Sequence, residues 1–222
     1  MDVSEVAALD IDPLAIDHRG EVTVDPTIEI ASPTGVNQER LAIRPYPKEL
    51  EEEFVLPNGV KVLLRPIRPE DAPAQHEFHD KCTPEDMELR FFRRVRSLTH
   101  LEMARLTQID YDREMAFIAT TRKEDGSGWE TLGTVQTFTD LHNETAEYAI
   151  LVRSDVKRQR LGRKLMEKMV GYCRSRGTRQ IVGQVLCDNK GMLDLIHSLD
   201  FRSKKVLDEN IMEVVLDLKP SL

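Results

Sequence analysis

The sequence predicts a mixed α/β (α+β) domain, with a mostly antiparallel sheet flanked by helices. Three observations carry this expectation: three strand-length apolar runs in succession, one long amphipathic helix pattern after them, and a strand, helix and strand to close. The first paired strands are expected around Pro57-Asn58-Gly59, because Asn-Gly between two apolar runs is a strong hairpin signal. Helices are expected between about residues 70 and 107. Thr83-Pro84-Glu85-Asp86 offers a hydroxyl N-cap with proline at the first helical position, and Thr99-His100-Leu101-Glu102 has capping-box spacing. Residues 115–121, 131–138 and 146–152 read as an antiparallel meander, with Gly126-Ser127-Gly128 turning between the first two. A helix over 161–176 places Leu165, Met166, Met169, Val170 and Cys173 at spacings of three and four, and Gly177 stands where a C-terminal cap glycine belongs. Residues 181–186 then read as a strand, 191–199 as a helix and 211–218 as the closing strand, with no internal repeat and no low-complexity tract.

Ahead of this domain, residues 1–31 read as a hairpin turning at His18-Arg19-Gly20, with Val22, Val24, Ile28 and Ile30 on period-two faces. Such a hairpin is marginal alone. Residues 32–53 turn polar and carry Pro33, Pro45 and Pro47, the composition of a linker, which leaves 54–219 as the compact domain.

The chain has 222 residues, enough for one large or two small domains with a substantial core. Its 31 Lys and Arg against 39 Asp and Glu leave a net charge of −8, which argues against a generic binder of nucleic acid or anionic membrane. No apolar run approaches the roughly 20 residues that cross a bilayer. The start, MDVSEVAALDIDP, is acidic where an export signal is basic, so the cytoplasm is the expected compartment. Cys82, Cys173 and Cys187 lie far apart and outside any zinc-ligand spacing, so packed, reduced thiols and no metal site are expected.

Chemistry concentrates in one segment. Six basic residues fall between Arg153 and Lys164 of a net acidic chain. They stand at a strand-to-helix junction, where free backbone N–H groups already carry a partial positive charge of about half a unit. Cations are disfavoured there unless an anion arrives, and a phosphate-bearing ligand would satisfy both the amides and the side chains. The alternative is a solvated basic face.

The order of strand AEYAILVRSD, basic turn, helix LGRKLMEKMVGYCRSRG, strand, Asp188-Asn189-Lys190-Gly191-Met192 and a helix ending Leu199-Asp200-Phe201 resembles the GNAT N-acetyltransferases over roughly residues 59–219. It is most similar to the C-terminal acetyltransferase domain of bacterial Pat-type protein lysine acetyltransferases, through RPYPKELEE, LLRPIRPEDAPA, LRFF, LTQIDYDREMA, VRSD, LGRKLMEK and NKGM. The resemblance implies a GNAT fold, acetyl-CoA as co-substrate and transfer to a protein lysine, with acyl-CoA synthetases as the substrate class. It also implies an upstream synthetase-like region of the same longer protein. Residues 1–31 look like the tail of that region's ATP-grasp segment, with Asp10 and Asp12 near the places of its metal contacts; one strand lacks the other ligands, and no metal is expected.

By the same resemblance, Glu147 is the general base, the backbone of Ile150, Leu151 and Val152 binds the pantetheine, and the turn of Lys157, Arg158, Gln159, Arg160, Leu161, Gly162 and Arg163 holds the pyrophosphate. Glu147 also shares a strand face with Ala149 and Leu151, a charge among apolar neighbours. Asn189 either contacts the cofactor's amide chain or caps the following helix.

The turn departs from the family's Arg/Gln-x-x-Gly-x-Gly/Ala pattern, giving Lys157, Arg160 and Gly162, with Arg158 also at a place commonly glycine. Glycine serves such loops because the backbone approaches phosphate closely and adopts positive φ. Either the two arginines bind the phosphates directly or the cofactor pocket is weakened. The tyrosine that many GNAT enzymes place seven residues after the asparagine is Ile196 here, and His197 beside it reads as a surface residue. Two other functions stay open: a CoA-binding regulatory or sensor module with little turnover, and a small-molecule amine acetyltransferase.

Overall fold

The computed structural model describes residues 6–10, 14–17, 20–23, 27–30, 45–95 and 97–218. They fall into two compact units, residues 1–45 and 46–222. In the first, β1 (Val6–Asp10) pairs antiparallel with β4 (Thr27–Ile30), and β2 (Leu14–Asp17) with β3 (Gly20–Thr23). Asp12 and the expected turn residues His18 and Arg19 lie outside the described residues, as does most of the expected linker.

The second unit is built on an eight-stranded sheet of order β11-β12-β10-β9-β8-β7-β6-β5. Its strands are β5 (Glu52–Val55), β6 (Lys61–Pro66), β7 (Glu114–Arg122), β8 (Trp129–Thr139), β9 (Thr145–Val152), β10 (Gln180–Leu186), β11 (Arg202–Lys205) and β12 (Ile211–Asp217). Among the described residues only β9 and β10 pair in parallel. The expected meander is β7, β8 and β9.

Three short helices, α1 (Ala72–Asp80), α2 (Pro84–Phe91) and α3 (His100–Thr107), bury Phe78, Met87 and Met103 with Leu151 of β9. The starts of α2 and α3 are capped as the sequence implies: Thr83 Oγ1 accepts from Asp86 N at 3.2 Å, and Thr99 and Glu102 form a reciprocal capping box. The main core lies with α4 (Leu161–Ser175) and α5 (Lys190–His197). Leu161, Leu165, Met166, Met169, Val170 and Cys173 of α4 are buried in it together with Phe117, Val135 and Tyr148. Gly133 of β8 permits this approach, because a Cβ there would stand 3.0 Å from Leu165 Cδ1 and 3.3 Å from the Leu151 carbonyl oxygen. Gly177, at φ +75, ends the helix as expected. The three thiols are unpaired, and burial pushes the Cys82 and Cys173 thiols up to about 12.

Residues 46–53, within the stretch expected to be linker, belong to the second unit. They are anchored by charge and aromatic contact rather than by apolar periodicity. The Tyr46 hydroxyl donates to Glu51 at 2.7 Å, the Arg68 guanidinium lies 3.9 Å over the Tyr46 ring, and Glu52 pairs with Lys164 and Lys168 of α4. A chain lacking residues 1–44 should therefore keep a cooperative thermal transition. One lacking 1–55 should melt lower by roughly 5 °C or more, having lost an edge strand and these ties. Equal midpoints for the two chains would contradict the assignment of residues 46–53 to the folded unit.

Candidate active site

The site begins where two strands part. β9 pairs with β10 only from Thr145↔Gln180 to Glu147↔Val182; beyond that, β10 follows β12 and β9 follows β8. One backbone edge of β9 from Tyr148 onward therefore has no ladder partner and can offer its N–H and C=O groups to a ligand. Tyr148 fills the parting on the α4 side, edge-to-face with Phe201 at a centroid distance of 5.6 Å. Gly183 is required beneath its ring, since a Cβ there would fall 2.5 Å from Tyr148 Cε1.

A cavity of about 750 Å³ runs along this strand edge. Of the residues expected at the site, Glu147, Ile150, Leu151, Val152, Lys157, Arg158, Arg160, Leu161, Gly162, Arg163 and Asn189 line it, and Gln159 does not. Asn189 caps α5, its Oδ1 accepting from Met192 N at 3.2 Å. Ile196 is fully buried, and His197 Nε2 is 2.9 Å from Ser203 Oγ at the surface.

The six basic residues of the turn divide sharply by partner. Arg153 is nearly buried and spent on structure: Nη1 donates to Glu130 at 2.6 Å, while Nε and Nη2 donate to the Asp155 carboxylate at 2.7 and 3.0 Å. Lys157 pairs with Asp86 of α2, Arg163 with Glu167 and Ser198, and Lys164 with Glu52. Among the described residues, the side chains of Arg158 and Arg160 have no hydrogen bond, ion pair or ring contact. Both also hold the left-handed backbone that usually belongs to glycine, each at φ 61. Arg160 is the N-cap of α4 and makes no side-chain cap, and the first turn of that helix contains no acid. The helix start is thus an N–H cluster with two unpaired guanidinium groups beside it and no internal anion, the arrangement that receives phosphate.

Sequence reasoning missed Asp86, which fixes α2 over the site. Ser154 Oγ donates to Asp86 Oδ2 at 2.5 Å and itself accepts from Thr83 N at 3.1 Å, so the start of α2 is tied to the segment that follows β9. One helical turn on, Arg90 faces the other end of the cavity. Burial pushes its guanidinium down to about 10, against the pull of the Glu147 carboxylate, and it stays cationic at neutral pH. Burial alone would raise the Asp86 carboxyl; hydrogen bonds from Lys157 and Ser154 outweigh it and hold the group below the usual carboxylate range. Because the folded value is depressed, this stabilisation is present above the ordinary Asp value of about 3.9 and is lost as pH falls through the folded value. Asp86→Asn should therefore lower the urea midpoint at pH 7 and flatten its fall as pH drops below the ordinary Asp value of about 3.9; an unchanged acid limb would show that Asp86 does not carry it.

Fold and cavity together define an α/β domain with a helix start flanked by two unpaired guanidinium groups beside a parting of two parallel strands. Residues 61–202 match the family model described as acetyltransferase (GNAT) domain, and the chain belongs to that family. It is an acetyltransferase of GNAT fold. It is 28% identical over 155 residues to Acetyltransferase PA5475 of Pseudomonas aeruginosa, covering 70% of this chain and 82% of that protein. The fold is shared with the GNAT domain of S. lividans PAT, at a TM-score of 0.70 and 24% identity over 78% of this chain and all of that one. It is shared also with spermidine N-acetyltransferase from Vibrio cholerae, solved with CoA and spermine, at a TM-score of 0.58 and 15% identity over 71% of this chain and 95% of that one.

Proposed function

We propose that this acetyltransferase moves the acetyl group of acetyl-CoA to the ε-amine of a protein lysine, with Glu147 as general base. The observation that carries the reading is the division of the turn's cations: four are neutralised within the protein, and the two at φ 61 point to an external anion at the end of the cavity opposite Glu147. Arg158, Arg160 and the first amides of α4 hold the phosphates. The unpaired edge of β9 through Ile150, Leu151 and Val152 takes the amide-bearing arm. Acetyl-CoA supplies a thioester whose thiolate, with a thiol pKa of about 8.5, leaves without a donor, which accommodates Ile196 at the place of the family's tyrosine.

An amine near pKa 10.4 is an ammonium at neutral pH and cannot attack until a base takes its proton. Glu147 is exposed and lines the cavity, so an incoming ammonium can reach it. Glu147 takes one proton from the ammonium and releases it to solvent; the amine nitrogen then bonds to the carbonyl carbon, the carbon–sulfur bond breaks with its electron pair leaving on sulfur as thiolate, and the nitrogen's surplus proton passes to Glu147. The protein-lysine acceptor and the acyl-CoA synthetase class rest on the resemblance to Pat-type proteins.

The test is incubation with acetyl-CoA and a lysine-bearing polypeptide, following free thiol and polypeptide mass together. Stoichiometric thiol and lysine acetylation support the reading. Saturable acetyl-CoA binding without thiol release supports the sensor module instead, which the arginines in glycine positions and Ile196 favour. Transfer to small amines alone supports a small-molecule acceptor.

A further inference from the structure

Two exposed phenylalanines neighbour Glu147, Phe92 lining the cavity with it and Phe138 paired beside it on the sheet. Ladder register places Glu114, Phe138 and Glu147 side by side on β7, β8 and β9, and directly paired residues share a face. The next rows on that face are Ala116, Gln136 and Ala149, then Ile118, Thr134 and Leu151, and Leu151 packs with α1, α2 and α3. The row holding Glu147 lies beyond that cover, and Phe138 is 43% exposed. Phe92, the C-cap of α2, lines the cavity with Glu147; its left-handed backbone ends the helix, and the residue is 44% exposed. Of the seven phenylalanines of the chain these are the two exposed ones, and both stand around Glu147. Neither Glu114 nor Glu147 has an ion pair among the described residues.

We propose that Phe92 and Phe138 form a docking rim for a polypeptide segment in which apolar side chains flank the acceptor lysine. The inference rests on the reading above and sharpens its acceptor. A small amine would be met by the carboxylates alone and leave two phenyl rings in water. A polypeptide whose lysine enters between them brings its ammonium to Glu147 and covers both rings with its neighbouring side chains. The carboxylates of Glu147, facing Arg90 across the cavity, and of Glu114 match the cation, and the rings match the flanks.

Three synthetic peptides test this, each with one lysine, flanked on both sides by Leu, Gly or Glu. Wild-type kcat/KM is expected to be about tenfold higher for the Leu-flanked than for the Gly-flanked peptide, equivalent to about 1.4 kcal/mol, and lowest for the Glu-flanked one. Phe138→Thr keeps a strand-favouring residue and Phe92→Asn keeps one that tolerates a left-handed backbone. Each should bring the Leu-to-Gly ratio close to one, and acetyl-CoA titration checks that each variant is folded. A wild-type ratio near one, or a ratio that survives both substitutions, overturns the rim. Acetyl-CoA binding with transfer to none of the three peptides overturns the protein-lysine reading itself, and the rim with it.

Discussion

Replacing Glu147 by Gln should lower acetyl transfer at pH 7 by about 10²-fold or more, with acetyl-CoA affinity changed by no more than a few fold. The substitution keeps the side chain's size at an exposed strand position and breaks no hydrogen bond of its carboxylate. What it removes is the group that can accept a proton from an ammonium. Loss in kcat with binding retained is the signature of a base. Loss of affinity with kcat retained would place Glu147 in binding, and unchanged turnover would remove it from the mechanism. The strand itself should stay in place, since the Glu147 carbonyl is held by Thr137 Oγ1 at 3.0 Å.

The second large effect belongs to Arg158 and Arg160. If they pair with cofactor phosphates, acetyl-CoA affinity should fall steeply with salt, because partly exposed pairs are screened over about 8 Å at physiological ionic strength. Both residues sit at φ 61, a conformation that costs a residue with a side chain about 1–2 kcal/mol. Replacing both by Gly removes two cations and that backbone cost together, so affinity should change modestly while its salt dependence drops. Replacing both by Ala removes the cations and keeps the cost, so Ala should bind more weakly than Gly. A tenfold gain in affinity for the Gly pair, about 1.4 kcal/mol, would mean that the arginines obstruct the pocket, and would favour the sensor module.

The sequence makes most of the fold legible because its signals are local. Thr83, Thr99 and Gly177 mark helix ends within a few residues of the atoms that they satisfy, and the apolar runs of β7, β8 and β9 need only their own alternation. Three things escape such reading. β11, Arg202–Lys205, is an edge strand of charged and polar residues with no apolar face to give it a period. Residues 46–51, just before β5, are proline-bearing and polar, and what holds them, Tyr46 against Arg68, lies along the chain beyond the reach of a local pattern. The pairing of Asp86 with Lys157 spans 71 residues, so a count of cations in the turn could not tell which were already neutralised. The left-handed backbone at Arg160 was legible, because the resemblance places a glycine there. The cavity shows which of the turn's cations are unpaired; the sequence shows only that they are many.

Calorimetric titration of acetyl-CoA into the full chain, at low and then at high salt, bears most directly on the claim that the cavity between Arg158, Arg160 and Glu147 is an acetyl-CoA site. One saturable binding event per chain, weakened by salt, is the predicted result. No heat of binding at millimolar acetyl-CoA would contradict it.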